Sequence, residues 1–205
     1  MNTADFQKQF TPYQVFSLND IEKIIPDFQR TQLDRWEKKG YLRKIKQGFY
    51  AFTNQELTES FLFLVANKIY SPSYISCEKA LKFYGLIPEE IFQITSVSTK
   101  KTTNFKTSTG NFKYSHIKPS LFWGYKLIVI NNQKVLIAEP EKAILDYLYF
   151  NTNLKTTNDF TEIRINTNSF QEQVNFEKFQ TYLKAFENKS LIKRAQIFLN
   201  TIRND

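Results

Sequence analysis

Cysteine and histidine occur once each in 205 residues, as Cys77 and His116. That excludes an internal disulfide framework, fits a reducing cytoplasm, and leaves too few ligands for a zinc site of the usual Cys/His kind. No stretch reaches the ~18 consecutive apolar residues that a membrane span needs. The opening MNTADFQKQF lacks the basic-then-apolar order of a signal peptide. A cytoplasmic location without a membrane partner is therefore expected. Five Gly and six Pro leave little material for long flexible linkers. No glycine-rich phosphate loop occurs, so no nucleotide cofactor is expected. Acidic residues are missing altogether between Ile91 and Ala138, where seven lysines stand.

Aromatic residues, by contrast, are plentiful: 20 Phe and 11 Tyr are enough for a packed core. The net charge of +8 favours a polyanionic partner. Its distribution is uneven. Residues 1–54 carry nine bases against six acids, and from Phe28 to Gly48 the ratio is seven to two. From Glu139 onward bases and acids balance at nine each.

Periodicity divides the chain. Phe6, Phe10, Tyr13 and Val15 belong to a short opening helix broken near Pro12. In FSLNDIEKIIP, Ser17 or Asn19 caps a helix whose Leu18, Ile21, Ile24 and Ile25 share a face, and Pro26 ends it. A second helix is predicted from Phe28 to Lys39, with Leu33 and Trp36 inward and Gly40 as its left-handed cap. Tyr41–Ile45 and Phe49–Phe52 read as strands joined by Lys46-Gln47-Gly48. ESFLFLVANKIY and SCEKALKFYG are helices, followed by five period-two stretches: IFQITSVS, TNFKTS, NFKYSHIK, YKLIVIN and KVLIAE. Short turns between them predict antiparallel pairing. EPEKAILDYLYF, VNFEKFQTYLKAF and SLIKRAQIFLNTI are helical. The expected fold is α+β: a winged helix-turn-helix over residues 1–54, then a mixed domain over 55–205 with an antiparallel sheet flanked by helices.

Two helices and a hairpin in that order suit double-stranded DNA. The helix from Phe28 would enter the major groove, where Gln29, Arg30, Gln32 and Arg35 are candidates for base edges, Gln matching adenine and Arg matching guanine. Lys38 and Lys39 suit phosphate, as do Arg43, Lys44 and Lys46 on the hairpin. Leu33, Trp36, Leu42 and Ile45 are assigned to the core. Lys100, Lys101, Lys106, Lys113 and Lys118, in the acid-free middle, are candidates for a second phosphate-binding face or for a merely solvated basic one.

SPSYISCEKALKFYGLIPEEIFQITSVSTKKTTNF, GNFKYSHIK and LIAEPEKAILDYLYF, together with GYLRKIKQGFYAF, resemble the AbiEi family of type IV toxin–antitoxin systems. The resemblance covers roughly residues 12 to 150 in order and is loose over the final helices. It implies an amino-terminal winged helix that binds inverted repeats in its own promoter and represses it, and a carboxy-terminal domain with antitoxin activity. It also implies a cognate nucleotidyltransferase-like toxin, opposed without a stable complex. No catalytic activity and no cofactor follow from it.

Other chemistry is thinly represented. Glu139, Glu141, Lys142 and Asp146 fit a helix start, with Pro140 in its first turn and Lys142–Asp146 as a surface i,i+4 pair. Glu162-Ile163-Arg164 imitates an acid-x-Lys nuclease triplet poorly. His116 reads as an ordinary strand residue. Cys77 stands beside a helix start, where a thiol pKa can fall, or is buried. Two rivals remain: a winged-helix module that binds a partner protein, and a metal-dependent defence nuclease.

Overall fold

The computed structural model describes residues 2–204 of the protein, a mixed α+β chain with a three-stranded and a six-stranded sheet. Among these residues no helix is long and apolar enough to cross a membrane.

The amino-terminal unit contains α1 (Thr3–Phe10), β1 (Phe16–Ser17), α2 (Leu18–Ile24), α3 (Thr31–Lys38), β2 (Leu42–Lys46) and β3 (Phe49–Phe52). Its strands run antiparallel in the order β1-β3-β2. Ser17 and Asp20 start α2 as a reciprocal capping box, each side chain accepting from the other's backbone N–H. Gly40, at φ +74°, ends α3. There Tyr41 N–H donates to the Trp36 carbonyl and Gly40 N–H to Glu37, satisfying two of the carbonyls at the helix end. The α3 helix begins at Thr31, not Phe28; Gln29 lies before it and Arg30 occupies its N-cap. The preceding Phe28 is nonetheless buried, with Phe6, Phe10, Phe16, Leu33 and Trp36, in an aromatic core.

One β-bulge decides which way the hairpin faces. Leu42 pairs with Phe52 and Lys44 with Tyr50, and then the register slips so that Lys46 pairs with Phe49. Leu42, Tyr50 and Phe52 join the aromatic core under the helices. Val15, Ile45 and Ala51 instead pack into the larger core of the rest of the chain. The hairpin is thus held between two hydrophobic cores.

The second unit comprises α4 (Glu59–Ile69), β4 (Ser73–Ile75), α5 (Cys77–Phe83), β5 (Ile94–Ser98), β6 (Thr103–Lys106), β7 (Asn111–His116), β8 (Tyr125–Ile130), β9 (Gln133–Ala138) and α6 (Pro140–Phe150). It continues through the short α7 (Thr157–Thr161) and α8 (Thr167–Gln173), then α9 (Phe176–Ala185) and α10 (Lys189–Asn204). The sheet order is β6-β7-β5-β4-β9-β8. It is mixed, not antiparallel as the short turns suggested: β5 runs parallel to β7, and β4 to β9. A short link sets strand direction only when sequence neighbours are also sheet neighbours, and β6 lies one place beyond β7.

Alternation sorts the two faces of this sheet. Thr95 pairs with Lys113, and Ser96 with Tyr114, so Thr95 and Tyr114 point oppositely. Tyr114 donates to the Ala66 carbonyl of α4, whereas Thr95 bonds the Ser76 carbonyl and the Lys79 N–H at α5. The α4 helix therefore covers one face and α5 the other. Carboxy-terminal helices close over α6, where Lys178 Nζ (2.8 Å) and Tyr182 Oη (2.5 Å) reach Glu139. Burial pushes the Glu139 carboxyl up, but these two donors outweigh it and hold it below its ordinary range.

Candidate nucleic-acid interface

The inward positions of α3 are Leu33 and Trp36, both almost wholly buried. A helical period of 3.6 then turns Thr31, Arg35 and Lys38 outward, with Lys39 just beyond. Arg35, Lys38 and Lys39 are exposed and form no ion pair among the described residues. Asp34 is the exposed acid on this face, while Glu37 is half-buried. Gln29 is exposed before the helix. Arg30 is exposed too, but its Nη2 lies 2.7 Å from Glu22 Oε1. A surface pair of this kind is worth at most ~1 kcal/mol, so Arg30 can be released to a polyanion at little cost. Gln32 is half-buried, and its Oε1 is enclosed without a hydrogen-bond partner.

The hairpin departs further from the expected arrangement. Arg43 lies opposite Ala51, on the face turned to the second unit, and its Nη1 is enclosed without a partner. Lys46, assigned from sequence to phosphate, instead donates to the Ile69 carbonyl at 3.2 Å and sits 3.8 Å from the Phe105 ring centroid. Burial and the nearby Lys100 ammonium lower its pKa. The bulge explains this, because it places Ile45 and Lys46 together toward the second core. Lys44 keeps the α3 side, opposite Tyr50, and its carbonyl accepts from Ser108 Oγ. Lys46→Met is expected to leave DNA affinity and its salt dependence unchanged while lowering the thermal midpoint. A fall in salt slope near 0.9 would restore the phosphate role.

Lys100 and Lys101 are exposed in the β5–β6 turn beside this junction. Lys100 Nζ lies 5.4 Å from the Tyr70 ring, which Lys46 also approaches, and Tyr70 donates to the Lys101 carbonyl. Lys106 and Lys113 belong to the other sheet face, away from Phe105 and Tyr114. The lysine-rich middle is therefore split between two directions. The open basic surface reduces to Gln29, Arg30, Arg35, Lys38 and Lys39, with Lys44 at its side and Lys100–Lys101 at the junction.

The largest departure from the sequence expectation lies away from this surface. Lys142 and Asp146 do pair at i,i+4, but both side chains are 0% exposed. Asp146 accepts from Tyr74 Oη at 2.9 Å and Ser76 Oγ at 2.8 Å as well as from Lys142. Lys142 also donates to Tyr74 Oη at 3.0 Å, and its ammonium is walled by the rings of Trp123 and Phe186. Burial pushes the Asp146 carboxyl up against the opposing pull of Lys142. The available signal was the apolar run Ala143, Ile144, Leu145, Leu148 around the pair, which marks a helix buried on every side.

Cys77 is buried at φ +53°, and desolvation pushes its thiol well up, the opposite of an activated nucleophile. His116 is exposed at the end of β7. Glu162 is exposed just past α7 and Arg164 pairs with Glu89, whereas Asp146 is sealed in the core away from them. No protein-family model and no curated protein matches the chain.

Proposed function

We propose that this protein is a DNA-binding transcriptional autorepressor and antitoxin of a type IV system, acting without catalysis or a cofactor. Its amino-terminal unit works as a winged helix, with α3 as the recognition helix in the major groove of inverted repeats in its own promoter. The observation that carries the DNA reading is the outward face of α3, where Arg35, Lys38 and Lys39 are exposed and free of ion pairs among the described residues. Leu33 and Trp36 anchor that helix from behind, so its basic face is preorganised. The order α1-β1-α2-α3-β2-β3 and its small antiparallel sheet support the same reading. The hairpin contributes less than sequence suggested, chiefly through Lys44. The antitoxin role, the nucleotidyltransferase-like toxin and the lack of a stable complex with it rest on the family resemblance alone.

Fluorescence anisotropy with the duplex upstream of the protein's own coding region, against a shuffled duplex and without added metal, tests the first part. The native duplex should bind at least ~10³-fold more tightly. Equal affinity for both would remove the repressor reading. Co-expression with the neighbouring gene's product tests the second: growth should be rescued from that product's toxicity, and failure would remove the antitoxin role while leaving the repressor.

A further inference from the structure

Across the sheet from α4, a cavity of about 340 Å³ opens between α5, α6 and α7. Its walls are apolar: Leu81, Ile87, Ile91, Leu154 and Ile163. Its rim carries four carboxylates, Glu78, Glu89, Asp159 and Glu162. Arg164 pairs with Glu89, and Lys155 lies beside Asp159, so the rim keeps an excess of negative charge in a chain whose net charge is +8. Asp159 caps α7 by accepting from the Lys155 and Thr156 backbone, which holds its carboxyl below its ordinary range. Tyr147, in the same wall, has its hydroxyl pushed up to about 12 by burial, then by Glu78, Cys77 and Glu89.

A second feature adjoins this one. Phe92 follows Ile91 directly and is 88% exposed, more than any other large hydrophobic side chain described. An exposed Phe one residue along the chain from an apolar pocket lined also by carboxylates has the anatomy of an interaction site, with apolar anchoring inside and polar steering outside. DNA would be repelled by that rim.

We propose that this groove docks a basic segment of a partner protein. One bulky apolar side chain of that segment enters the pocket, Phe92 packs over it, and Lys or Arg side chains meet Glu78 and Glu162. Charge complementarity selects the occupant: carboxylates around an apolar floor match cations flanking an apolar anchor. The groove lies on the sheet face opposite α4, while Lys46 of the hairpin contacts the end of α4, so partner and DNA can be held together. The inference stands on this groove alone and survives failure of the DNA reading.

The test uses the full chain and a fluorescein-labelled amphipathic peptide of Leu, Phe, Lys and Arg. A second peptide of equal charge has Ser in place of Leu and Phe. The first should bind saturably and the second about tenfold more weakly or worse. Glu162→Lys should weaken the first about tenfold and flatten its salt dependence, whereas Phe92→Ser should weaken it with the salt dependence kept. Both positions are exposed, so neither variant threatens the fold. Equal binding of the two peptides, or indifference to Glu162→Lys, would reduce the groove to unspecific attraction and overturn the proposal. Concentration-dependent dimerisation in sedimentation, abolished by Glu162→Lys, would assign the groove to a second copy and overturn it as well.

Discussion

Asp146→Ala is expected to cost about 3–5 kcal/mol of folding stability, the loss typical of breaking a buried ion pair from one side. Both partners are 0% exposed, so the surviving Lys142 ammonium has no water to turn to. Its remaining neighbours are the Tyr74 hydroxyl and the faces of Trp123 and Phe186. Ring faces attract a cation, by about 2 kcal/mol or more when it is desolvated, but they carry no opposite charge to replace the carboxylate. Tyr74 and Ser76 would lose their shared acceptor in the same step. Gly124 leaves no slack, since a Cβ there would already stand 3.0–3.2 Å from the Lys142 stem. Lys142→Met combined with Asp146→Leu should recover the part of the loss that comes from the stranded charge, because the desolvation cost of both charges disappears together, while the Tyr74 and Ser76 hydroxyls stay without their acceptor. Urea unfolding followed by tryptophan fluorescence measures this, with Trp123 beside the pair as reporter. A double variant as unstable as Asp146→Ala would mean that shape rather than charge sets the site. A single-variant loss under ~1 kcal/mol would mean that water reaches it.

The difference between that pair and its sequence expectation is instructive. Spacing at i,i+4 says that Lys142 and Asp146 meet; it does not say what surrounds them. Local geometry was legible at Gly40 and Ser17, where one residue type has a special backbone or capping role. Gly40 ends α3 because its φ of +74° is strained for residues with a Cβ, and Ser17 starts α2 because its hydroxyl reaches a free N–H. Strands β6 and β7 were legible because alternation survives in them, whereas β5 is buried along its whole length and was legible from its β-branched residues and position after a turn. The β4 strand was not: Ser73, Tyr74 and Ile75 are buried on both faces, so no alternation marks them, and Pro72 precedes them. The parallel pairings were hidden because they join strands distant in sequence.

For the candidate interface, the helix and the hairpin divide sharply. Arg35, Lys38 and Lys39 were placed outward by counting from Leu33 and Trp36, and the helical period held. Arg43 and Lys46 were placed on phosphate as part of a wing, Arg43 in its first strand and Lys46 in its turn. A single bulge between Lys44 and Lys46 moved Lys46 to the second unit, and Arg43 shares the Ala51 face. Binary charge counting cannot see this, because a basic residue turned to a neighbouring carbonyl looks the same in sequence as one turned to solvent. Lys46 of the hairpin is committed to joining the units, so the proposed DNA contact would fall chiefly on α3.

That shift makes the effect of α3 variants large and separable. Arg35→Ala should weaken binding to the native duplex by about 1–3 kcal/mol if its guanidinium spans a guanine edge, with little change on shuffled DNA. Lys38→Ala with Lys39→Ala should act differently. Each lysine that meets a phosphate adds about 0.9 to the slope of log affinity against log salt, so their joint loss should lower it by about 1.8, alike on native and shuffled duplexes. Stability should stay within ~0.5 kcal/mol, because all three side chains are exposed and unpaired among the described residues. The two signatures separate reading from holding, which a bare loss of affinity cannot do. Anisotropy titrations across a salt series supply both. An Arg35→Ala loss equal on every sequence would reassign Arg35 to the backbone. Salt slopes unchanged in the lysine variant would place the phosphates elsewhere, with Lys44, Lys100 and Lys101 the next surface to test.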